Sequence, residues 1–537
     1  MEEFGDEDEE DEGSINEDDS ALELTVRTRV VIRADDSDGE CEGIDHTGGE
    51  GINPGRVVRN FISMSILVAA LPATALACLA LATAELGALG AWQSGALYCS
   101  YTISSVSGAT YVVKRVGARD GLWVGMMLFC LYVTCFVVAL TVPTGASRNL
   151  WALLGASVGG IGAGILWTAQ GTYLALAATE YAVAVAVATT IATTNTATNT
   201  TTITTARDKA TGYLAGIFAF IFLAEETVLD VLSTVLTDYG FSWRLVFAMY
   251  GAIAIVSTCT IPWVVTDYRM PSIANPAQGT TTGTCTKITA TVQLLRSDPK
   301  MKYMVGFNAA FGLTGAFLNS FVNGQVVPVV MGSADDVGLL VAVHGCTAAL
   351  CSLFLGYAVG WGIDKSSILY AGALSFAGVA LPFLFQPDLQ SWTRHAVVAL
   401  YMAEGLGRAT FEGTFKALFA DYFGDEPHGA YANIILQNGS ATAVAYVLSV
   451  RLGCRRDAPD DSRYCVQYQD GSHHDLLTFC MIIVATAGTA ICGLSTAARL
   501  HRNHQSAPYG AVQQRQTNNH ADEMNDNGIE RNLPGVT

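Results

Sequence analysis

Apolar runs of about bilayer length dominate the chain, separated by short polar breaks. They fall at Val57–Leu81, Ala91–Val113, Gly121–Val142, Leu150–Ala177, Gly212–Leu236, Trp243–Val265, Tyr303–Met331, Val337–Trp361, Ser367–Phe385, Ala396–Tyr422, Ala430–Leu452 and Leu476–Leu500. Each is close to the ~20 residues that a spanning helix needs. The pattern predicts an all-α membrane protein with twelve transmembrane helices. A polar stretch from Thr266 to about Lys302 divides the runs into six and six. The expected organisation is therefore an N-terminal tail over 1–54, a first half over 55–266, a linker over 267–302, a second half over 303–500 and a C-terminal tail over 501–537. Within the linker, 287–296 alternates apolar and polar positions as a short amphipathic helix on the membrane surface would. The Ala-Val alternation after Tyr181 and the 11 threonines between Thr189 and Thr205 break the clean apolar pattern, so 182–210 is expected to be a loop.

Composition agrees with membrane residence. Of 537 residues, 51% are hydrophobic and only 14% charged. Soluble domains carry roughly 25% charged residues. The formal net charge of −19 is mostly local, because residues 1–50 hold 20 acids against 3 arginines. Such a tail is expected to be solvated and disordered, and with this balance no nucleic-acid partner is expected. The acidic start does not read as a secretory signal. Lys and Arg gather in alternate loops: Arg56 and Arg59, Lys114 to Arg119, Arg207 and Lys209, the central linker, Lys365, then Arg499 and Arg502. That asymmetry places both termini in the cytoplasm, in the plasma membrane or an endomembrane. Most of the 13 cysteines sit singly in apolar runs and read as small buried hydrophobes. No metal-ligand spacing, phosphate loop or nucleophile elbow is present, so neither a metal, a cofactor nor an enzyme activity is expected. Cys454 and Cys465 flank a polar loop on the non-cytoplasmic side and are expected to form a disulfide.

Polar groups inside the apolar runs are the candidates for function. The fourth run carries glycines four apart and ends in Trp167-Thr168-Ala169-Gln170-Gly171-Thr172-Tyr173-Leu174. The glycines suit close helix packing; Trp167, Gln170 and Tyr173 suit either packing or a binding cavity. The fifth run carries Glu225, Glu226 and Asp230, one of whose glutamates is a candidate partner for Arg408. The seventh carries Asn319, Asn323 and Gln325 among glycines, as a bendable cavity-lining helix would. His344 in the eighth reads as a hydrogen-bonded core histidine. The tenth carries Glu404, Arg408, Glu412 and Lys416 at intervals of four. On one helix these stack along one face over roughly 18 Å. The spacing predicts a self-neutralising ladder, or a relay for protons or ions, with Lys416 reaching the cytoplasmic interface.

Two loops look like copies of one basic turn. The first holds Lys114, Arg115, Gly117 and Arg119; the second is Gly360-Trp361-Gly362-Ile363-Asp364-Lys365. They resemble the turn that major facilitator superfamily proteins carry between helices two and three and between eight and nine, with Lys114 standing where the usual form has Asp before the basic residue. Together with Gly162 to Leu174, Tyr98, Ser104 and Ser105, and the stretch Tyr431 to Ala441, they make the chain resemble the Unc-93-like branch of that superfamily over about Val57 to Leu500. The resemblance implies a twelve-helix major facilitator fold of two six-helix halves. It implies gating roles for Lys114, Arg115, Gly117, Arg119, Asp364 and Lys365. It implies regulation or escort of a partner membrane protein, such as an ion channel or receptor; the fold also serves transporters of small solutes or ions by alternating access.

Overall fold

The computed structural model describes residues 53–86, 88–193, 200–268, 290–332, 336–453 and 474–506. The first half consists of α1 (Pro54–Leu86), α2 (Ala88–Ser107) with its short continuation α3 (Ala109–Val116), α4 (Ala118–Thr141), α5 (Ala146–Thr193), α6 (Thr200–Asp238) and α7 (Trp243–Val264). Two short helices, α8 (Ala290–Ser297) and α9 (Pro299–Tyr303), lead into the second half. There α10 (Val305–Phe317) runs through a π-helical stretch, Leu318–Val326, into α11 (Val327–Met331). α12 (Asp336–Gly360) and α13 (Lys365–Phe385) follow. α14 (Arg394–Ala409) runs through a second π-helical stretch, Thr410–Phe415, into α15 (Lys416–Tyr422). α16 (Pro427–Gly453) and α17 (His474–Ser506) complete the second half. Among the described residues every regular element is helical.

Eight of these helical segments are long and apolar enough to cross a membrane. The four others are α2, α6, α14–α15 with its π-turn, and α16. They carry most of the intramembrane polar groups, and they meet one another where the halves join. Exposed aromatic rings mark both ends of the bundle: Trp92, Tyr239 and Phe385 at one, Trp263, Trp361 and Tyr303 at the other. Rings of this kind anchor helices at headgroup level. The second end also holds the Lys/Arg-rich loops and is called the basic face below.

The Thr-rich segment departs from expectation. α5 continues helical to Thr193, and α6 is helical from Thr200. Residues 182–193 and 200–210 contain no glycine or proline, and alanine is the best helix former. Threonine hydroxyls on α5 also find backbone acceptors one turn back, as Thr172 does at Thr168 and Thr179 at Ala175. With 48 residues, α5 is about 72 Å long. It therefore projects beyond a hydrocarbon layer of about 30 Å.

The glycines of α5 form two rows. A Cβ on Gly155, Gly159 or Gly162 would meet Cys135, Tyr132 or Leu128 of α4 at 2.4, 2.7 and 2.7 Å. A Cβ on Gly160 or Gly164 would meet Ser100 or Ser104 of α2 at 2.0 and 1.9 Å. One helix thus seats two neighbours by leaving out side chains. Gly160→Leu should therefore lose most monodisperse protein in size-exclusion chromatography, since overpacking costs ~1–3 kcal/mol and here the backbone at Leu97 O is also in the way. Gly95→Leu, with nothing within 4 Å, should not.

The first half packs around one core, including Phe61, Tyr132, Phe136, Tyr173, Phe218 and Phe247. The second has two cores. One is built on Phe317, Phe321, Phe383 and Tyr401; the other, towards the basic face, on Phe307, Phe376, Phe411 and Phe415. The halves approach backbone to backbone at Gly216 of α6 and Gly356 of α12, where a Cβ on Gly216 would lie 2.7 Å from the Gly356 Cα. Tyr431 of α16 fills the notch left by Gly171 of α5.

Candidate functional site

The charges of α6 and α14 meet at the seam between the halves. Arg408 donates from Nη1 and Nη2 to the two carboxylate oxygens of Glu226, at 3.0 and 2.5 Å. This fork-to-fork pairing is the strong form of an ion pair. The guanidinium also lies 5.8 Å from the ring centre of Phe222 on α6. The fifth-run glutamate that Arg408 finds is Glu226, which points at α14 while Glu225, about 100° round the helix, does not.

The expected ladder on the tenth segment is formed only in part, at Glu412 and Lys416. Glu404 is buried against His344 of α12, whose Nε2 faces a Glu404 carboxylate oxygen. Glu412 pairs with Lys416. The α-helix ends at Ala409, and the π-turn over Thr410–Phe415 changes the angular step. Glu412 and Lys416 therefore leave the face that Glu404 and Arg408 share. Lys416 does not reach an interface either. It is buried, with Nζ 4.3 Å from the Trp167 ring centre and 5.7 Å from that of Phe218, both in the other half. Two cations of one helix thus cross the seam and rest on aromatic faces of α5 and α6.

The other candidates divide. Trp167 faces the seam, packed edge-on against Phe222 at 5.3 Å between ring centres. Tyr173 turns into the first-half core, against Phe61 and Tyr268. Gln170 between them is fully buried, and neither amide atom has a hydrogen-bond partner. One carboxylate oxygen of Glu225 is likewise buried without one. Asn319 is the second residue of the π-helical stretch of the seventh segment, exposed and beside Tyr446 of α16. Gln325 lies half-buried in the same stretch, one turn past Phe321. Asn323 accepts from the Tyr401 hydroxyl. Across the seam the acidic side chains Glu225, Glu226, Asp230, Glu404 and Glu412 outnumber the basic Arg408 and Lys416.

The basic face is closed by contacts between the halves. Lys365 is buried and binds Asp421, the Thr211 hydroxyl at 2.8 Å and the Asp208 carbonyl at 2.6 Å. Thr211 in turn donates to Asp421 at 2.7 Å. Lys114 pairs with Glu426 at 2.6 Å, and Arg207 donates to the Ala420 carbonyl at 3.2 Å. Thr172 Oγ1 lies 3.2 Å from His428 Nδ1. Burial, then the charge of Lys114, pushes His428 down to about 4, so at neutral pH it is an uncharged hydrogen-bond partner.

α8 falls within the expected stretch, but it does not simply lie on the surface. Its Thr291 is fully buried, 3.0 Å from Thr110 Oγ1, and donates to the Ser105 carbonyl at 3.1 Å. The Thr291 carbonyl accepts from Asn433 at 2.9 Å. The linker helix is wedged between α2–α3 and α16.

The two basic turns share a backbone device. Gly117 has φ 94° and Gly362 φ 98°, values that favour glycine, and each reverses the chain just before a helix of the next segment. Their charged residues do different work. Asp364 caps α13 at the Ser367 amide, Arg119 pairs locally with Asp120, and Arg115 is exposed. Lys114 and Lys365 are the two that reach across. Reasoning from the sequence missed His344, Asp421, Asp208, Glu426 and His428 as partners. Asp421 had a visible signal, an acid one turn past Lys416 at the end of an apolar run; the others had none. Cys454 and Cys465 lie outside the described residues. Among the described residues no group of three His, Cys, Asp or Glu side chains could hold a metal.

Comparison with known proteins agrees with this architecture. The family described as "Ion channel regulatory protein UNC-93" matches residues 90–324. That range holds the Gly-rich α5, its Trp167–Tyr173 end and the α6 acids. UNC93-like protein 3 of Arabidopsis thaliana is 23% identical over 370 residues, 67% of this chain and 74% of that protein. The chain resembles UNC-93-like proteins and has the major facilitator fold. Solved structures extend the likeness in fold beyond the matched range. The major facilitator superfamily transporter FucP in its outward conformation has a TM-score of 0.57 at 12% identity, covering 83% of this chain and 98% of that one. A bacterial homologue of the iron transporter ferroportin, outward-facing, also gives 0.57 at 12% identity, with 83% and 100% covered. The human organic anion transporter MFSD10 gives 0.54 at 12%, with 83% and 99% covered.

Proposed function

We propose that this UNC-93-like membrane protein governs cation movement across its membrane as the regulator of a partner ion channel. Its bundle then acts as a two-state device rather than a passive scaffold. The observation that carries the reading is the Glu226–Arg408 pair, a buried ion pair joining the two halves in a region already rich in carboxylates. A scaffold gains little from such a pair, because two buried charges are costly to desolvate and apolar packing does as well. A seam that must break and re-form gains partners that can be exchanged. The family description of the matched relatives supports a channel as the partner. In this reading the basic face is cytoplasmic, both termini lie there, and Lys365, Asp421, Lys114 and Glu426 hold it shut in one of the two states.

A second reading has the bundle carry a small cation or cationic solute by alternating access. It is favoured by Gln170 and Glu225, whose open hydrogen-bonding capacity lies within the apolar spans. One pair of measurements decides. Co-expression with potassium-selective channels should change their current density several-fold if the first reading holds, and Glu226→Gln should abolish that change. Uptake of labelled monovalent cations into proteoliposomes containing only this protein, lost in Glu404→Gln, would instead establish the second. Unchanged currents together with no uptake would remove both.

A further inference from the structure

The geometry points to the His344–Glu404 pair as a proton site that decides which carboxylate holds Arg408, and so whether the halves are locked together. The inference rests on the two-state reading above. Its test reads conformation, so it stands or falls apart from channel regulation or uptake.

Glu404 is almost fully buried on α14, and the charge set against it is the His344 imidazole on α12. Arg408 lies one turn further along the same helix face, at the i+4 spacing that allows Glu404 and Arg408 to pair directly. Instead its fork is taken by Glu226 of the other half. Two carboxylates thus compete for one guanidinium, and His344 determines how badly Glu404 needs it. With a proton on His344, Glu404 is neutralised where it stands, and Arg408 is free to bind Glu226 across the seam. When that proton leaves, Glu404 is a buried charge without a counter-ion, a costly state. A swing of Arg408 by one turn relieves it and releases Glu226.

The other charges at this depth come from two elements packed on α12. α14 and its π-turn present Glu404, Arg408 and Glu412, with the Tyr401 hydroxyl; Glu412 is held by Lys416. α6 presents Glu225, Glu226 and Asp230. The next residue after His344, Gly345, sits directly on Thr227 of α6, adjacent to Glu226. His344 therefore occupies the point where α12 touches both competitors. A proton fits this site better than a metal ion, which the Arg408 charge one turn away would repel. Imidazole is also the side chain whose charge changes near neutral pH. The lock is coupled to the basic face by continuous helices: α6 carries Glu226 together with Asp208 and Thr211, and the α14–α15 segment carries Arg408 together with Asp421.

The test is hydrogen–deuterium exchange of the full chain in phosphatidylcholine nanodiscs, read at 205–214 and 416–430 and corrected for intrinsic pH dependence. In the wild type, exchange there should be about tenfold faster at about pH 8 than at about pH 6. His344→Gln leaves Glu404 unpaired at every pH and should exchange fast at both. Glu404→Gln removes the competitor and should exchange slowly at both. These opposite directions separate a proton site from a packing role, which would loosen the bundle in both variants. If His344→Gln does not fold, Glu404→Gln decides alone: loss of the pH step with slow exchange supports the site, and a retained step overturns it. No pH step in the wild type, a wild-type step in His344→Gln, or fast exchange in both variants also overturns it.

Discussion

Arg408→Leu should remove most of the folded protein, and Glu226→Gln should restore part of it. The substitution leaves the Glu226 carboxylate largely buried at the seam with its fork partner gone. Breaking a buried pair by deleting one member typically costs ~3–5 kcal/mol. That is a large part of the ~5–15 kcal/mol that holds an ordinary domain together. Neutralising the stranded acid removes much of the loss, so the double variant should be more abundant than Arg408→Leu alone. Glu412→Gln should give no rescue, since Glu412 belongs to Lys416. Lys416→Leu should be harmful in its own right, because Lys416 is buried between Glu412 and Trp167 and has no route to a headgroup layer. Fluorescence-detected size-exclusion profiles of the singles and doubles measure all of this. Rescue of Arg408→Leu by Glu412→Gln, with none from Glu226→Gln, would mean that the helix pairs along itself and not across the seam.

That contrast shows where the sequence was legible. The apolar runs identify the long helical segments, eight of them apolar enough to cross a membrane, because span length is set by the bilayer and hardly by tertiary context. The glycine rows of α5 are likewise local: a residue without a side chain permits close approach wherever it lies on a packed helix. The i, i+4 ladder formed only at Glu412–Lys416, because Glu404 and Arg408 take partners from α12 and α6 and the π-turn separates them from the lower pair. The π-turn at Thr410–Phe415 rotates the lower pair away, and nothing in Thr-Phe-Glu-Gly-Thr-Phe announces it. The partner of Glu404 lies 60 residues earlier on α12, and that of Arg408 lies 182 residues earlier on α6. Such pairings are set by the packing of helices whose order in space a single chain does not spell out. The Thr tract failed for another reason. Threonine's weak preference against helix was weighed too heavily, when the absence of glycine and proline and the run of alanine decided the backbone.

The basic turns give the second large effect, and they separate residues that the sequence placed together. Lys365→Met should open the basic face, whereas Arg115→Met should do almost nothing. Lys365 is buried and gives its three protons to Asp421, Thr211 and the Asp208 carbonyl, joining α13, α15 and α6 at one point. Without the ammonium, Asp421 keeps only the Thr211 hydroxyl, and an uncompensated buried carboxylate costs several kcal/mol. Hydration is the cheapest relief, and water can reach Asp421 only if α6 withdraws from α15. Lys365→Met should therefore raise amide exchange across 205–214 by about a hundredfold or more, the equivalent of ~3 kcal/mol. Lys365→Met combined with Asp421→Asn should recover folded yield, because no lone charge remains. It should not recover slow exchange, because the charged bond between the halves is still missing. Lys114→Met lies between these limits, since its pair with Glu426 is partly exposed and pairs of that kind contribute ~1 kcal/mol or less. Arg115 is exposed, and its loss should stay within about 0.5 kcal/mol. If the double variant exchanged as slowly as the wild type, Lys365 would be serving only to neutralise Asp421. The closure of the basic face would then rest on the Gly216–Gly356 contact, the Tyr431 plug and the Lys114–Glu426 and Arg207–Ala420 contacts.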